Sequence, residues 1–223
     1  MAATYSSLDT RLRSLWAKSG DTSWHSLLAH MLDVAASAEV LLERESGAAY
    51  LWAAQAFGLP PKRVGRWIAA IVGLHDFGKG IPGFQAKWPQ GKANVEMAGL
   101  PFSVASLTIS NHAGASAALL MDILPTVGVP SMWAHGVLQA ISAHHGYNFN
   151  AREIQSPNPY IEGPAWGATR KMLFVAYWAT LAPEGSPTVD ELQLAPVEWL
   201  AGLTSIADWI ASNQVWFPLG ERG

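Results

Sequence analysis

Apolar residues recur three or four positions apart along most of the chain, which is the spacing of one face of an α-helix. The first such pattern follows Asp21, Thr22 and Ser23, three residue types that favour helix N-caps. It predicts a helix over residues 24–44, with His30 inside it.

A second helix is predicted after the dipeptide Pro60-Pro61, because proline is favoured in the first turn of a helix. Gly78 and Gly80 are expected to end it. Its apolar stripe also contains a histidine: Val64, Trp67, Ile68, Ile71 and His75. We therefore expect His75 to emerge on the buried face at the C-terminus of this helix.

Two further helices are predicted over residues 111–124 and 130–145, stopped before Pro125 and at Gly146. In the second of these, Val137, Ile141 and His145 lie four residues apart, so His145 is expected to point inward.

The segment 147–163 is rich in Pro and Asn and predicts a long loop that shapes access to a site. Helices over 167–181 and 189–213 are predicted to close the chain, with Asp208 late in the last one. Strand-like alternation is nearly absent, so the predicted fold class is all-α.

The composition supports one globular domain spanning residues 1–223. Half of the 223 residues are apolar and eleven are Trp, enough for a large core. The absence of cysteine excludes disulfides, zinc fingers, iron–sulfur clusters and cysteine nucleophiles, and suits a reducing compartment. We expect a cytoplasmic protein, since the sequence shows neither a signal-peptide pattern nor a membrane span.

The net charge of −3 excludes a protein that grips nucleic acid by overall charge. Locally, however, six basic residues surround the single acid Asp76. One interpretation is a solvated helix face, and the other is a phosphate path leading to a metal site. These residues are Lys62, Arg63, Arg66, Lys79, Lys87 and Lys92.

Histidines and aspartates recur inside otherwise apolar segments, where unpaired burial would be costly. Imidazole and carboxylate hold divalent metals at neutral pH, so their recurrence predicts a metal site built from nitrogen and oxygen ligands. The adjacent His75 and Asp76 supply one of each, and a carboxylate can bridge two ions. The candidates are His30, His75, Asp76, His112, His144, His145 and Asp208.

The stretch Gly73 to Lys79 also fits the G-x-x-x-x-G-K phosphate-loop pattern. That loop needs a strand before it, a helix after it, and Ser or Thr in the next position. Here a helix is predicted before it, Gly80 occupies the hydroxyl position, and Asp76 would face the phosphates. The pattern therefore does not indicate nucleotide binding of this type.

The order His, His-Asp and a distant Asp resembles the HD superfamily of metal-dependent phosphohydrolases, whose fold is all-helical. Six segments, in family order over residues 20–217, look more specifically like the HD nuclease domain of the CRISPR-associated helicase–nuclease of type I interference. They are His30-Met-Leu-Asp-Val-Ala, Leu74-His-Asp-Phe-Gly-Lys-Gly, Gly83-Phe-Gln-Ala-Lys-Trp, Asn111-His-Ala-Gly-Ala, Ala143-His-His-Gly and Ala207-Asp-Trp-Ile-Ala-Ser-Asn.

The resemblance implies an HD-domain helical bundle with its metal site in the core cleft. It implies one ion held by His30, His75, Asp76 and Asp208, and a second held by Asp76, His112, His144 and His145. It further implies cleavage of single-stranded DNA, with a helicase that feeds the strand after an RNA-guided surveillance complex has opened the target. No helicase motifs follow in this sequence, which indicates a standalone subunit or an isolated domain.

Two ions roughly 3.5 to 4 Å apart can activate water and clamp phosphate oxygens, so phosphodiester hydrolysis needs no protein nucleophile. The imidazole-rich ligand set favours Fe, Mn, Co or Ni, the resemblance contributing to that ranking, with Mg and Zn less favoured. Two alternatives are an HD phosphohydrolase acting on small nucleotides and a catalytically dead docking module. The dead module is disfavoured because no ligand is missing.

Several residues have more than one possible role. Lys79 could place a charge on the scissile phosphate, hold an acid in place, or be an exposed charge at a helix end. Trp88 is the tryptophan proposed for DNA contact, because Trp67, Trp178 and Trp199 occupy apolar stripes. The remaining residues have either a structural role or a role at the site. His25 is the substitute for His30, and Asp33 is a possible orienting acid. Asn111, Ser212 and Asn213 are pocket or cap residues, and His135 is interpreted as structural.

Overall fold

The computed structural model describes residues 5–21, 23–44, 47–146, 149–150 and 152–220. Within these ranges the regular secondary structure is helical apart from one antiparallel two-stranded sheet, which confirms the predicted all-α class. The α-helices are α1 Thr10–Ser14, α2 Leu27–Arg44, α3 Gly47–Ala56, α4 Pro61–Val72, α5 Pro82–Gln85, α6 Pro89–Met97, α7 His112–Leu120, α8 Ser131–Ser142, α9 Pro159–Glu162, α10 Pro164–Leu181 and α11 Leu194–Ala211.

The two strands are β1, Trp16–Ser19, and β2, Trp24–Ser26. The predicted start of the first long helix at residue 24 is therefore wrong by three residues. The hydroxyl of Ser26 accepts a hydrogen bond from the Ala29 N–H at 3.3 Å and so caps α2. Asp21 and Ser23 precede β2 instead, and the cap predicted at Thr22 lies outside the described residues.

Short 3-10 helices continue or link the α-helices at Tyr5–Ser7, Gly73–Gly80, Val104–Leu107, Leu124–Val127 and Ala143–His145. The Gly73–Gly80 segment follows α4 directly, so the phosphate-loop pattern lies on helical turns after a helix. This excludes the strand that such a loop requires.

The helices α2, α4, α8 and α11 pack on one another around an apolar core, and α7 lies against the Gly73–Gly80 segment. The core holds the large buried side chains Trp67, Trp133, Trp166 and Tyr177. Trp178 and Trp199 pack against it while partly exposed. At ~25 cal/mol per Å² of buried apolar area, this core supplies the main stabilisation and fixes the helix ends that carry the candidate ligands.

Other predicted boundaries differ from the observed ones. Helix α7 ends at Leu120, α8 runs over Ser131–Ser142, α10 begins at Pro164 and α11 spans Leu194–Ala211. The predicted loop 147–163 contains α9, which Asn158 caps by accepting a hydrogen bond from the Tyr160 N–H. Residues 147, 148 and 151 of that loop lie outside the described residues. Among the described residues, none of the helices combines the length and apolar character that crossing a membrane needs.

Candidate metal centre

Five separate stretches of the chain bring their histidines and aspartates together where α2, α11, α7, the end of α8 and the Gly73–Gly80 segment meet. Two groups are within ligating reach. The four-residue cluster consists of His30, His75, Asp76 and Asp208, and the three-histidine cluster consists of His112, His144 and His145. In each group one ligand atom from every residue lies within 4.8 Å of the others.

Asp76 joins the two clusters because its two carboxylate oxygens face different sets of imidazoles. Its Oδ2 lies 3.1 Å from Nε2 of His30 and 3.3 Å from Nε2 of His75. Its Oδ1 lies 3.3 Å from Nε2 of His112 and 3.8 Å from Nε2 of His144. One carboxylate is thus placed to serve ions on both sides.

Asp208 closes the four-residue cluster from the last turns of α11. Its Oδ1 is 3.3 Å from Nε2 of His30 and 3.6 Å from Nε2 of His75. The Ser212 hydroxyl donates a hydrogen bond to the same oxygen at 2.8 Å. Ser212 therefore orients a candidate ligand, one of the two roles considered for it.

The buried ligand atoms fit a cation better than they fit one another. Within the described part of the chain, four of them are buried without a hydrogen-bond partner despite their closeness. Such orphans are costly in a folded protein and typical of a site that holds an ion. They are Nε2 of His30, His75 and His144 and Oδ1 of Asp76.

Backbone carbonyls fix the ring orientation of two histidines. Nδ1 of His75 lies 3.2 Å from the Val72 oxygen, and Nδ1 of His144 lies 2.8 Å from the Ile141 oxygen. A carbonyl only accepts hydrogen bonds, so Nδ1 carries the proton in both rings. Nε2 of each ring is directed into the site, where it can bind a metal ion or a proton, as in known metal-ligating histidines.

His145 departs from the prediction that it points inward, because its side chain is exposed and His144 is buried instead. The helix tightens to a 3-10 turn after Ser142, so the four-residue spacing from Ile141 no longer applies. His145 still joins the site, since its Nε2 lies 3.1 Å from Nε2 of His112.

Charges around Asp76 keep it ionised in a dry environment. Burial alone would raise the pKa of Asp76, but His75 and Lys79 outweigh it and hold the pKa well below its ordinary value. Burial likewise opposes the Asp208 carboxylate, yet the neighbouring His30 and His75 rings lower its pKa. Both carboxylates therefore remain ionised at neutral pH.

The histidines respond in opposite directions. Burial lowers the pKa of His30 and brings that of His144 down to about 3. Burial also acts on His75, but Asp76 and Asp208 dominate and raise its pKa to about 9. Two buried carboxylates thus attract positive charge to His75, and a divalent ion would compete with a proton for that position.

Lys79 is buried, with 5% of its surface exposed, so its reading as an exposed charge at a helix end is wrong. Its Nζ lies 2.5 Å from Oδ2 of Asp76 and donates a hydrogen bond to the Ala17 oxygen at 3.3 Å. Burial lowers the pKa of Lys79. The contact favours the role of holding an acid in place.

Three supporting residues were given no role in the sequence analysis. The Ser116 hydroxyl of α7 donates to the His75 oxygen and accepts from the Gly78 N–H, each at 2.7 Å. The packing leaves no room at Gly78, where a Cβ would lie 2.0 Å from the His112 oxygen. The other two supporting residues besides Ser116 are Gln85 and Lys18. Their roles depend on tertiary contacts that no local pattern encodes.

The buried Arg170 of α10 supports the Gly73–Gly80 segment from the opposite side. Its Nη1 donates to the Gly80 oxygen at 3.2 Å and to Oε2 of Glu162 at 2.9 Å, and its Nη2 pairs with Oε1 of the same glutamate. This pair ties α9 and α10 to the segment that carries His75, Asp76 and Lys79.

Most of the ambiguous residues lie outside the ligand sets. Nε2 of His25 is 2.7 Å from Oδ2 of Asp33, so both are engaged with each other and His30 is the histidine at the site. The Asn111 side chain accepts a hydrogen bond from the Gly114 N–H and caps α7, and the Asn213 side chain accepts one from the Val215 N–H in the turn after α11. His135 is exposed on α8.

Several basic residues pair with acids at the surface, which favours the solvated-face interpretation over a phosphate path. Arg63 pairs with Glu184, Arg66 with Glu39 and Lys92 with Glu96, at 3.4, 3.0 and 3.7 Å. Lys62 is exposed on the first turn of α4. Lys87 is different, because its Nζ donates to the Ser110 oxygen and lies 5.1 Å from the centre of the Phe84 ring, which in turn contacts His112.

The comparisons with known proteins agree on one protein family. The family model described as Cas3, HD domain matches residues 16–217. The CRISPR-associated endonuclease/helicase Cas3 of Thermus thermophilus is 37% identical over 219 residues, which cover 96% of this chain and 24% of that protein. The chain therefore spans about a quarter of the length of the curated relative that it matches.

Solved structures agree with this comparison. The crystal structure of the Thermus thermophilus cas3 HD domain in the presence of Ni²⁺ is 33% identical, with a TM-score of 0.71, covering 96% of this chain and 84% of that one. A chain of a CRISPR RNA-guided surveillance complex, pre-nicking, is 27% identical with a TM-score of 0.75 and covers 92% of this chain and 25% of its own.

Proposed function

Because this chain belongs to the Cas3 HD-domain family, we propose that it is a metal-dependent nuclease that cleaves single-stranded DNA in CRISPR antiviral interference. The observation that carries this proposal is the position of Asp76 between two sets of imidazoles, with its buried Oδ1 lacking a hydrogen-bond partner. A helicase domain or subunit and an RNA-guided surveillance complex are the proposed partners, and the cytoplasm is the proposed location.

The proposed ligands are those of the two clusters. His30, His75, Asp76 and Asp208 would hold one ion, and Asp76 with His112, His144 and His145 would hold a second. Divalent ions in such a site supply an activated water at neutral pH and neutralise charge on phosphate oxygens. The imidazole-rich set favours Fe, Mn, Co or Ni, with Mg and Zn less favoured.

The chain's own residues prepare the site for that chemistry. Lys79 and His75 keep Asp76 ionised, and the Val72 and Ile141 oxygens hold two imidazoles with Nε2 directed inward. The walls are buried, which strengthens every charge interaction inside. No serine, cysteine or lysine nucleophile is required, so catalysis depends on positioning and electrostatics.

The test is digestion of circular single-stranded DNA by metal-free protein to which Mn²⁺, Fe²⁺, Co²⁺, Ni²⁺, Mg²⁺ or Zn²⁺ is added back. Circular double-stranded DNA and deoxynucleoside triphosphates serve as parallel substrates. We expect cleavage of the single strand with at least one of the first four ions and its loss on chelation. Cleavage that survives chelation would contradict the proposal, and hydrolysis of triphosphates alone would favour a small-nucleotide phosphohydrolase.

Trp88 remains the tryptophan that we predict to contact DNA. Its ring is partly exposed and packs edge-on against Trp16 at 5.6 Å. If it stacks a base, Trp88→Ala should weaken binding of a single-stranded oligonucleotide about tenfold, measured by fluorescence anisotropy.

A matched control exists in Trp52, which is also partly exposed and packs edge-on against Trp199 at 5.5 Å. Trp52→Ala should lower the melting temperature as Trp88→Ala does, and leave DNA binding unchanged. Equal binding losses in the two variants would mean that Trp88 acts through packing.

A further inference from the structure

Lys18 places a positive charge at the open side of the four-residue cluster. Its Nζ lies 3.5 Å from Oδ1 of Asp208, and 31% of its side-chain surface is exposed. Asp208 is the most accessible member of the cluster, at 13% for its side chain, whereas His30, His75 and Asp76 are at most 1% exposed. Asp208 and Lys18 therefore border the side on which this cluster meets solvent.

We propose that Lys18 binds the scissile phosphate at this opening and that Lys79 does not. The inference rests on the proposed function and names the residue that contacts its substrate. Lys79 was one candidate for that contact. It is buried, paired with Asp76 at 2.5 Å and bonded to the Ala17 oxygen, so its ammonium is already engaged within the protein.

The strand that carries Lys18 is fastened to the metal segment by Gln85, a fully buried residue of the Gly83-Phe-Gln-Ala-Lys-Trp segment. The Gln85 amide donates to the Trp16 and Lys79 oxygens at 2.9 and 2.8 Å, and its Oε1 accepts from the Trp16 N–H at 3.1 Å. Lys79 holds the next residue, Ala17. Residues 16 and 17 are thus fixed relative to Asp76, and Lys18 follows them directly.

The charges at the site explain why Lys18 would contact a phosphate once an ion is bound. Two acids, Asp76 and Asp208, face two lysines, Lys18 and Lys79, so the lysines alone already balance the carboxylates before an ion is added. A divalent ion then makes the site cationic, attracts a phosphodiester and weakens the hold of Asp208 on Lys18. Lysine is suited to this role because its ammonium is a point charge on a flexible stem.

Space for the ligand is present on the same side. A cavity of about 250 Å³ opens there, lined by Lys18, Ser212 and Gln214 together with the aromatic rings of Trp16 and Phe217. Since a water molecule takes ~30 Å³ in the liquid, this volume exceeds the need of a phosphate group. Two residues of the cavity lining, Lys18 and Ser212, contact Oδ1 of Asp208 and so connect the cavity to the cluster.

The experiment compares wild-type protein with Lys18→Gln and Lys18→Arg, and uses Lys171→Gln as a matched control on the exposed face of α10. Titration calorimetry measures Mn²⁺ binding and then the binding of thymidine 5′-monophosphate to the Mn²⁺-loaded protein. Cleavage of single-stranded DNA is measured in parallel. Thymidine 5′-monophosphate serves as a soluble phosphate probe that does not depend on turnover.

We expect Lys18→Gln to weaken nucleotide binding and kcat/KM about 10- to 100-fold, the range of one charge-assisted hydrogen bond. Mn²⁺ affinity should not weaken, because the cluster ligands remain and the loss of the Lys18 charge removes a repulsion from the cation. Lys18→Arg should recover most of the loss, and Lys171→Gln should resemble wild type.

Unchanged nucleotide binding in Lys18→Gln would overturn the inference, as would a loss explained by weaker Mn²⁺ binding. These outcomes are distinct from failure of the proposed function, in which wild-type protein would not cleave DNA at all. In that case the nucleotide titration still decides whether Lys18 binds phosphate.

Discussion

Replacing Asp76 by Asn is expected to abolish DNA cleavage, lowering the rate at least about a thousandfold, which corresponds to ~4 kcal/mol of transition-state stabilisation. The two oxygens of Asp76 face the two clusters, and the Asn amide in their place lacks the negative charge that both ions would share. Affinity for Mn²⁺ should fall at least about 100-fold, since even changes in residues behind metal ligands cost 10- to 100-fold. Turnover of a labelled oligonucleotide and calorimetry measure the two effects.

The same substitution has a folding cost that must be separated from the chemistry. Asn at this position leaves the ammonium of Lys79 buried without its counter-charge, so thermal stability should also drop. The double variant Asp76→Asn/Lys79→Met removes the stranded charge. We expect it to recover stability and to remain inactive.

Asp122→Asn is the matched control, because Asp122 is exposed at the end of α7, away from both clusters. It should leave cleavage and metal binding unchanged. An Asp76→Asn protein that folds, binds Mn²⁺ as wild type does and cuts DNA would show that the bridging carboxylate is not part of the machinery.

Replacing Arg170 by Met is expected to destabilise the fold by about 3–5 kcal/mol, the cost of removing one partner of a buried ion pair. Glu162 would keep its charge in a buried position, and the Gly80 oxygen would lose its donor. Because Gly80 ends the segment that carries Asp76, we expect local unfolding to begin next to the candidate metal centre. Chemical denaturation followed by circular dichroism measures the free energy of unfolding.

The neighbouring Lys171→Met offers a direct control, since it removes an equal charge from an exposed position on the same helix. It should change stability by less than ~0.5 kcal/mol. The double variant Arg170→Met/Glu162→Gln should regain part of the loss by neutralising the isolated carboxylate. Equal stability of Arg170→Met and Lys171→Met would refute the structural role of the pair.

The fold class could be predicted because apolar spacing at three and four residues marks each long helix, and the segments containing His30 and Asp208 lie on such helices. The boundaries were less accurate. Residues 24–26 form a strand because they pair with β1, which is a contact between separate segments. Helices α3 and α6 were not predicted at all.

The grouping of the ligands could be anticipated from residue chemistry, because histidines and aspartates inside apolar segments need a shared partner. The buried position predicted for His75 is confirmed. The orientation of His145 was wrong, since a 3-10 turn after α8 rotates His144 inward instead. A helical-spacing argument cannot detect such a change in pitch.

The supporting residues could not be found from spacing. Ser116, Gln85 and Lys18 are ordinary polar residues whose importance comes from partners 38, 69 and 190 positions away. Lys79 could be named, but its burial depends on β1 lying over it. Tertiary packing decides these roles, and the local sequence leaves them open.

Anomalous diffraction from crystals grown with Mn²⁺ can show whether Asp76 ligates divalent ions together with both clusters. We expect one manganese peak among His30, His75, Asp76 and Asp208 and a second among Asp76, His112, His144 and His145, with an Asp76 oxygen coordinating each. Manganese that binds elsewhere, or that leaves both Asp76 oxygens uncoordinated, would contradict it.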